Sequence, residues 1–250
     1  MRCFPHLFAG LLCLLLPFAA VSQEKAKWID LFESDTLDAW QKPRSDWTLV
    51  GSVELDPDNP RRLASKAGKG VYFNGPKGRT SNLVTKTDYQ DVEVYVEFLI
   101  PKGSNSGVKL MGLYEIQILD SHGVKEPKGS DCGGIYPRAD EKPTYHHLDE
   151  GIPPKVNAAK PAGEWQTLDI TFVAPRFDAD GKKTANARFV KVVLNDQTVH
   201  EGVDVKCPTG AAWSLKKEIA RGPLLLQADH GPVAFRNVRV RPYAGEGKKD

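Results

Sequence analysis

The chain has 250 residues, 40% of them hydrophobic and 26% charged, with a formal charge of +2 at pH 7. These are ordinary values for a globular protein. Acids and bases are interspersed and no basic stripe is present, so a nucleic-acid partner is not expected. The length admits one large all-β domain or two small ones.

The first 22 residues stand apart. Arg2 is followed by an apolar run from Leu7 to Ala20, then by small residues around Ala20 and Ser22. That pattern reads as a secretory signal, and the run is too short to cross a bilayer comfortably. The expectation is a signal peptide over residues 1–22 and a mature protein that starts near Gln23. It is exported to the periplasm or beyond and has no membrane span. Cleavage removes Cys3 and Cys13 and leaves Cys132 and Cys207, which are available for one disulfide in an oxidising compartment. The alternative is two separate thiols.

Strand patterns dominate the rest of the chain. "ELDPDNP" (54–60) reads as an acidic, solvated turn. "DVEVYVEFLI" (91–100) alternates, with Val92, Val94, Val96, Phe98 and Ile100 on one face. From Leu113 to Asp120 the chain alternates again. Tyr114, Ile116 and Ile118 form a core face, and Glu115 and Gln117 share the other face about 7 Å apart. Residues 121–163 show little periodicity and are rich in proline. Tyr136, Tyr145, His146 and His147 argue for an ordered loop packed over a sheet rather than disorder.

"EWQTLDITFVAP" (164–175) is a further strand. "FDADGKK" (177–183) is a turn, since an EF-hand beginning at Asp178 would need Gly and Glu where Lys183 and Phe189 stand. "ARFVKVVLNDQTVHEG" (187–202) reads as a hairpin turning at Asn195-Asp196, residues that tolerate positive φ. After "GPLLLQADHG" (222–231), "PVAFRNVRVRPY" (232–243) changes apolar phase at Arg236-Asn237, which predicts a β-bulge. Many strands without βα alternation predict a single two-sheet sandwich from about Ala26 to Tyr243, with residues 244–250 as a loose tail.

Glu115 and Gln117 admit two readings. A solvated outer face carries such residues without consequence. A cleft with an apolar floor and a few polar groups looks the same. His230, beside a Gly-Pro turn, is on its own an unremarked loop histidine. Adjacent His146 and His147 point to opposite faces of any strand. No HExxH or CxxC spacing accompanies them, so no metal site and no cofactor are predicted.

The ordered set "WIDLFESDTLDAW", "NSGVKLMGLYEIQILD", "GGIY", "GEWQTLDITFVAPRFD" and "GPLLLQADHGPVAFRNVRVRP" resembles the 3-keto-disaccharide hydrolase family. Its members are mostly exported bacterial proteins with a concanavalin-like jelly-roll β-sandwich. The likeness runs from about Trp28 to Pro242. It implies cleavage of glycosides whose sugar carries a ketone at carbon 3, made by a partner sugar 3-oxidoreductase. Glu115 and His230 take the catalytic positions by this resemblance, on the Y-E-x-Q strand and in "LQADHG". Asn105 and Ser106 match an N-S-G turn. Gln117, Tyr136, Gln227, Arg236 and Asn237 join them as substrate-binding residues.

A ketone at carbon 3 acidifies the proton on carbon 2, so one base and a few hydrogen-bond donors suffice. Two other readings stand beside this one. An ordinary glycosidase needs paired carboxylates, and "EIQILD" resembles the E-x-D-x-x-E strand of laminarinase-like jelly rolls, with Gln117 and Asp120 at two of the acid positions. A non-catalytic carbohydrate-binding domain uses the same fold.

Overall fold

The computed structural model describes residues 26–42 and 47–245. The expected signal segment lies outside the described residues, as do Cys3, Cys13 and residues 246–250 of the tail. In chain order the strands are β1 (Ile29–Asp30), β2 (Thr48–Asp56), β3 (Asn59–Phe73), β4 (Leu83–Tyr89), β5 (Val92–Leu99), β6 (Asn105–Leu110) and β7 (Tyr114–Leu119). The later strands are β8 (Ala139–Asp140), β9 (His146–His147), β10 (Gln166–Val173), β11 (Arg176–Phe177), β12 (Lys183–Ala185), β13 (Ala187–Leu194), β14 (Gln197–Val205), β15 (Gly222–Leu226) and β16 (Ala234–Pro242).

Two sheets make a jelly-roll sandwich. The larger runs β14-β13-β10-β5-β16-β3-β2, with β1 also on β16, and the smaller runs β4-β15-β6-β7. Period-two alternation explains both. On β5 the parity of Val92, Val94, Val96 and Phe98 is buried. These side chains join Leu168, Ile170, Phe172, Phe189 and Val192 of the large sheet and Val108, Tyr114, Ile116, Ile118 and Leu226 of the small one in one core.

The other parity of β5 pairs across β16 as Glu97↔Arg236, Tyr95↔Arg239 and Glu93↔Arg241. The register slips between Arg236 and Arg239, where Asn237 has φ 49°. This bulge lets Phe235, Val238 and Val240 all face the core, as the change of phase predicts. The hairpin between β13 and β14 turns at Asn195 and Asp196, both at positive φ.

Strand β7 is an edge of the small sheet, and the long loop closes it. Gln117 N–H donates to the Gly134 carbonyl at 2.9 Å, Gly133 N–H donates to the Gln117 carbonyl at 2.8 Å, and Tyr136 N–H donates to the Glu115 carbonyl at 3.1 Å. The loop therefore satisfies an otherwise open edge and fixes Tyr136 beside Glu115.

Two expectations need correction. The N-S-G segment is not a turn: Asn105 and Ser106 begin β6. No disulfide forms, since Cys132 and Cys207 are both free. Cys132 is fully buried in the core, where burial pushes its thiol up to about 12. Cys207 is half-exposed near Arg138 and Lys206, on the wall of a separate cleft.

Candidate active site

The face of β6 and β7 that points away from the core forms the floor of a cleft. Register places Gly107 opposite Gln117 and Lys109 opposite Glu115. The cleft is lined by Asn105, Lys109, Glu115 and Gln117 from these strands, by Tyr136 and Tyr145 from the long loop, and by Gly210, Ala211, Gln227 and His230. The structure thus brings together six residues that the sequence singles out: Asn105, Glu115, Gln117, Tyr136, Gln227 and His230.

Glu115 is only 2% exposed. Its Oε2 lies 3.1 Å from Lys109 Nζ. Its Oε1 lies over Gly107, where a β-carbon would come within 2.3 Å of it. That is why a glycine stands in mid-strand. Its backbone N–H donates to Thr209 Oγ1 at 3.0 Å. Burial raises the carboxyl's pKa, against the opposing pull of Lys109, Lys216 and His230.

Gly210 makes room for a second cation. A β-carbon there would lie 3.3 Å from Lys216 Nζ, 3.5 Å from Glu115 Oε2 and 3.8 Å from Lys109 Nζ. Lys216 Nζ donates to the Thr209 carbonyl at 2.5 Å. Burial and the like charge of Lys109 lower its pKa to about 8, against the attraction of Glu115. Nothing in the sequence patterns marks Lys109, Thr209, Gly210 or Lys216. Lys109 had one available signal, being of the same strand parity as Asn105 and Gly107.

At the rim, His230 Nδ1 lies 2.6 Å from Asp229 Oδ1 and 3.2 Å from Gln227 Nε2. The Asp229 carboxylate only accepts, so Nδ1 carries the proton, the Gln227 amide group beside it serves as an acceptor through its oxygen, and Nε2 is left as the working nitrogen. Tyr136 Oη lies 2.7 Å from Tyr145 Oη and 3.2 Å from His147 Nε2. Burial and its bond with Tyr145 raise the Tyr136 pKa, so the phenol remains a neutral donor. The amide oxygen of Gln117 is buried without a hydrogen-bond partner. Polar ligand groups are what such atoms lack.

The structure does not place three of the expected substrate-binding residues in this cleft. Ser106 faces inward, and its hydroxyl donates to the Gln227 carbonyl at 2.7 Å, tying β6 to the end of β15. Arg236 and Asn237 lie on the outer face of the large sheet. Arg236 Nε donates to Glu97 Oε2 at 2.6 Å, and Asn237 Nδ2 donates to Glu97 Oε1 at 2.8 Å. The Arg236 guanidinium also stacks 4.0 Å above the Trp165 ring. The bulge that turns Phe235 and Val238 inward sends both residues to that outer face.

No group of three or more His, Cys, Asp or Glu side chains able to hold a metal is found among the described residues. Among the same residues, no helix is long and apolar enough to cross a membrane.

Two solved structures from Parabacteroides distasonis ATCC 8503, each provisionally described as a glycosyl hydrolase, resemble this fold. One is 23% identical with a TM-score of 0.62, over 86% of this chain and 84% of its own. The other is 22% identical with a TM-score of 0.55, over 87% of this chain and all 100% of its own. Such identities show the fold alone. No curated protein sequence matches the chain. Residues 27–241 match the sequence profile described as the 3-keto-alpha-glucoside-1,2-lyase-like domain, nearly all of the described sandwich. The chain belongs to that family.

Proposed function

We propose that this protein cleaves 3-keto-glycosides by elimination across carbons 1 and 2, followed by addition of water. The observation that carries the reading is one buried carboxylate, Glu115, set between two lysines on the floor of the cleft. The family membership supports it.

The ketone at carbon 3 makes the carbon 2 proton acidic. Glu115 Oε1 takes that proton, and the electron pair moves onto the carbon 3 oxygen as an enolate. The enolate collapses to the ketone, a double bond forms between carbons 1 and 2, and the bond from carbon 1 to the leaving oxygen breaks. His230, as the imidazolium paired with Asp229, gives its Nε2 proton to the leaving oxygen and keeps its Nδ1–H donated to Asp229. Water then adds across the new double bond. Its hydroxyl bonds carbon 1, and the proton it loses goes to His230 Nε2. Carbon 2 takes a proton from Glu115 after that carboxyl has exchanged with solvent.

Burial makes Glu115 a stronger base than a surface glutamate, and Lys109 keeps its charged form available. Lys216 and the neutral Tyr136 phenol favour negative charge on the enolate. Asp229 accepts from Nδ1–H, which orients Nε2 and stabilises the imidazolium that the protonation step uses.

An ordinary glycosidase is less well supported. It needs two carboxylates flanking the bond, and among the described residues Glu115 is the one carboxylate lining this cleft. Asp120 Oδ2 instead accepts the Gly103 N–H at 2.8 Å in the turn before β6. A pure binding domain has no need of a carboxylate buried beside two cations.

Export through the residue 1–22 segment completes the proposal. A separate oxidation of the sugar at carbon 3 supplies the substrate. To test the function, the protein is incubated with a 3-keto-glucoside and, separately, with its unoxidised parent, and products are followed by NMR. Cleavage of the keto sugar alone is expected. Cleavage of the parent alone would establish a glycosidase, and binding of either without turnover a carbohydrate-binding domain.

A further inference from the structure

A second, larger cleft lies across Tyr136 from the first. It measures about 420 Å³ against about 60 Å³ for the first, and sites for small molecules commonly span about 300–1,000 Å³. Tyr136 borders both clefts. The chain segment behind Glu115 is shared too, with Thr209 facing the larger cleft and Gly210 and Ala211 the smaller. Ile135, Ile152 and Val205 line the larger cleft with apolar surface, and Cys207 lies beside them.

Of the four charged groups that line it among the described residues, three are already paired, and Lys206 is the fourth. Arg138 Nε donates to Asp149 Oδ2 at 2.6 Å, and the same guanidinium lies 4.7 Å over the Trp213 ring. Asp204 Oδ1 takes Arg188 Nη1 at 2.5 Å.

We propose that this second cleft receives the leaving group, and that the group is an uncharged aromatic alcohol. The inference rests on the elimination reading above and specifies its substrate class. The first cleft, at about 60 Å³, is well below the usual size of a small-molecule site. It therefore takes one edge of the keto sugar, and the rest of the glycoside has to extend past the cleft wall. Tyr136 is a wall common to both spaces.

The apolar lining and the pairing of Arg138, Asp149 and Asp204 leave few groups for a second sugar, most of whose hydroxyls would lose water without finding partners. An aromatic ring gains from the same burial, and the Arg138 guanidinium offers it a cationic edge. A phenolic oxygen, with a pKa near 10, also departs with less help from an acid than an alkoxide does.

Two measurements test this. In the wild-type full-length chain, unoxidised phenyl glucoside should slow iodoacetamide labelling of Cys207, read on its own peptide by mass spectrometry. Methyl glucoside at the same concentration should not. In Ile152→Trp, which fills the cleft, the ratio of kcat/KM for phenyl over methyl 3-keto-glucoside should fall by about 10- to 100-fold.

Absence of protection by the phenyl glucoside would overturn the proposal, whether or not the variant folds. An unchanged ratio in a folded Ile152→Trp would do the same. If neither keto-glycoside is cleaved by wild type, the elimination reading fails, and protection of Cys207 still decides whether the second cleft takes aromatic rings.

Discussion

Lys109 and Glu115 face each other across the β6–β7 pair, with Nζ 3.1 Å from Oε2. Two opposed effects meet there. Burial raises the carboxyl's affinity for a proton and the ammonium lowers it, and burial prevails. Glu115 is therefore more basic than a surface glutamate, and Lys109 is the partner that holds its pKa down.

Glu115→Gln preserves size and hydrogen-bonding reach and deletes the base. Positioned proton transfer contributes roughly 10²- to 10⁴-fold, so kcat for a 3-keto-glucoside should fall by about that factor. Affinity for the substrate should change far less, because a carboxamide still bonds a hydroxyl. Steady-state kinetics with a separate binding measurement check both. An active variant would move the base elsewhere, with His230 next in reach.

Lys109→Gln should move the acid limb of the kcat/KM profile to higher pH. The sign follows from Lys109 acting to lower the Glu115 pKa. Without it the carboxyl protonates at higher pH, and the base is lost earlier as pH falls. The basic limb should fall near pH 8 in wild type, where Lys216 gives up its charge. Lys216→Met should abolish that limb, and an unshifted acid limb in Lys109→Gln would separate Glu115 from catalysis.

Gly107→Ala changes no chemical group. Its backbone lies in a regular strand, yet the added carbon would come within 2.3 Å of Glu115 Oε1. The carboxylate has to move, and a displacement of about 1 Å at a reacting group can cost about 10²-fold. Activity should drop by that order while the circular dichroism spectrum stays β-rich. Full activity would show that Glu115 needs no fixed position.

The thiols should report the absence of a bridge. Cys207 should react with a thiol reagent in the folded protein, and Cys132, at 0% exposure, only after denaturation. Reducing agent should leave the melting temperature unchanged. Protection of both thiols in the denatured, non-reduced protein would show a disulfide after all.

Much of the sandwich is legible as alternation. β5 and β10 each bury one parity, and β13 and β16 alternate on either side of a change of phase, so the period-two pattern finds them. The ribbon of β2 and β3 escapes because most of its side chains are solvent-facing or half-buried, and β3 buries only Leu63 before its last three residues. Without a buried face there is no apolar period to read.

The site divides in the same way. Glu115 and Gln117 interrupt an apolar strand and so announce themselves. Lys109 becomes meaningful only through register, and Lys216 sits in an irregular segment with no period at all. Gly107 reads as turn punctuation because glycine usually is. Here its missing side chain is the space that a catalytic candidate occupies.

The most direct test of the account follows the carbon 2 proton. A 3-keto-glucoside is incubated with the protein in deuterium oxide, and carbon 2 of the released 3-keto-glucose is read by NMR at early times against an enzyme-free control. Elimination and hydration predict deuterium at carbon 2 in each product molecule as it forms. Cleavage that releases product with the original carbon 2 proton intact would contradict the account and make the reaction a direct hydrolysis.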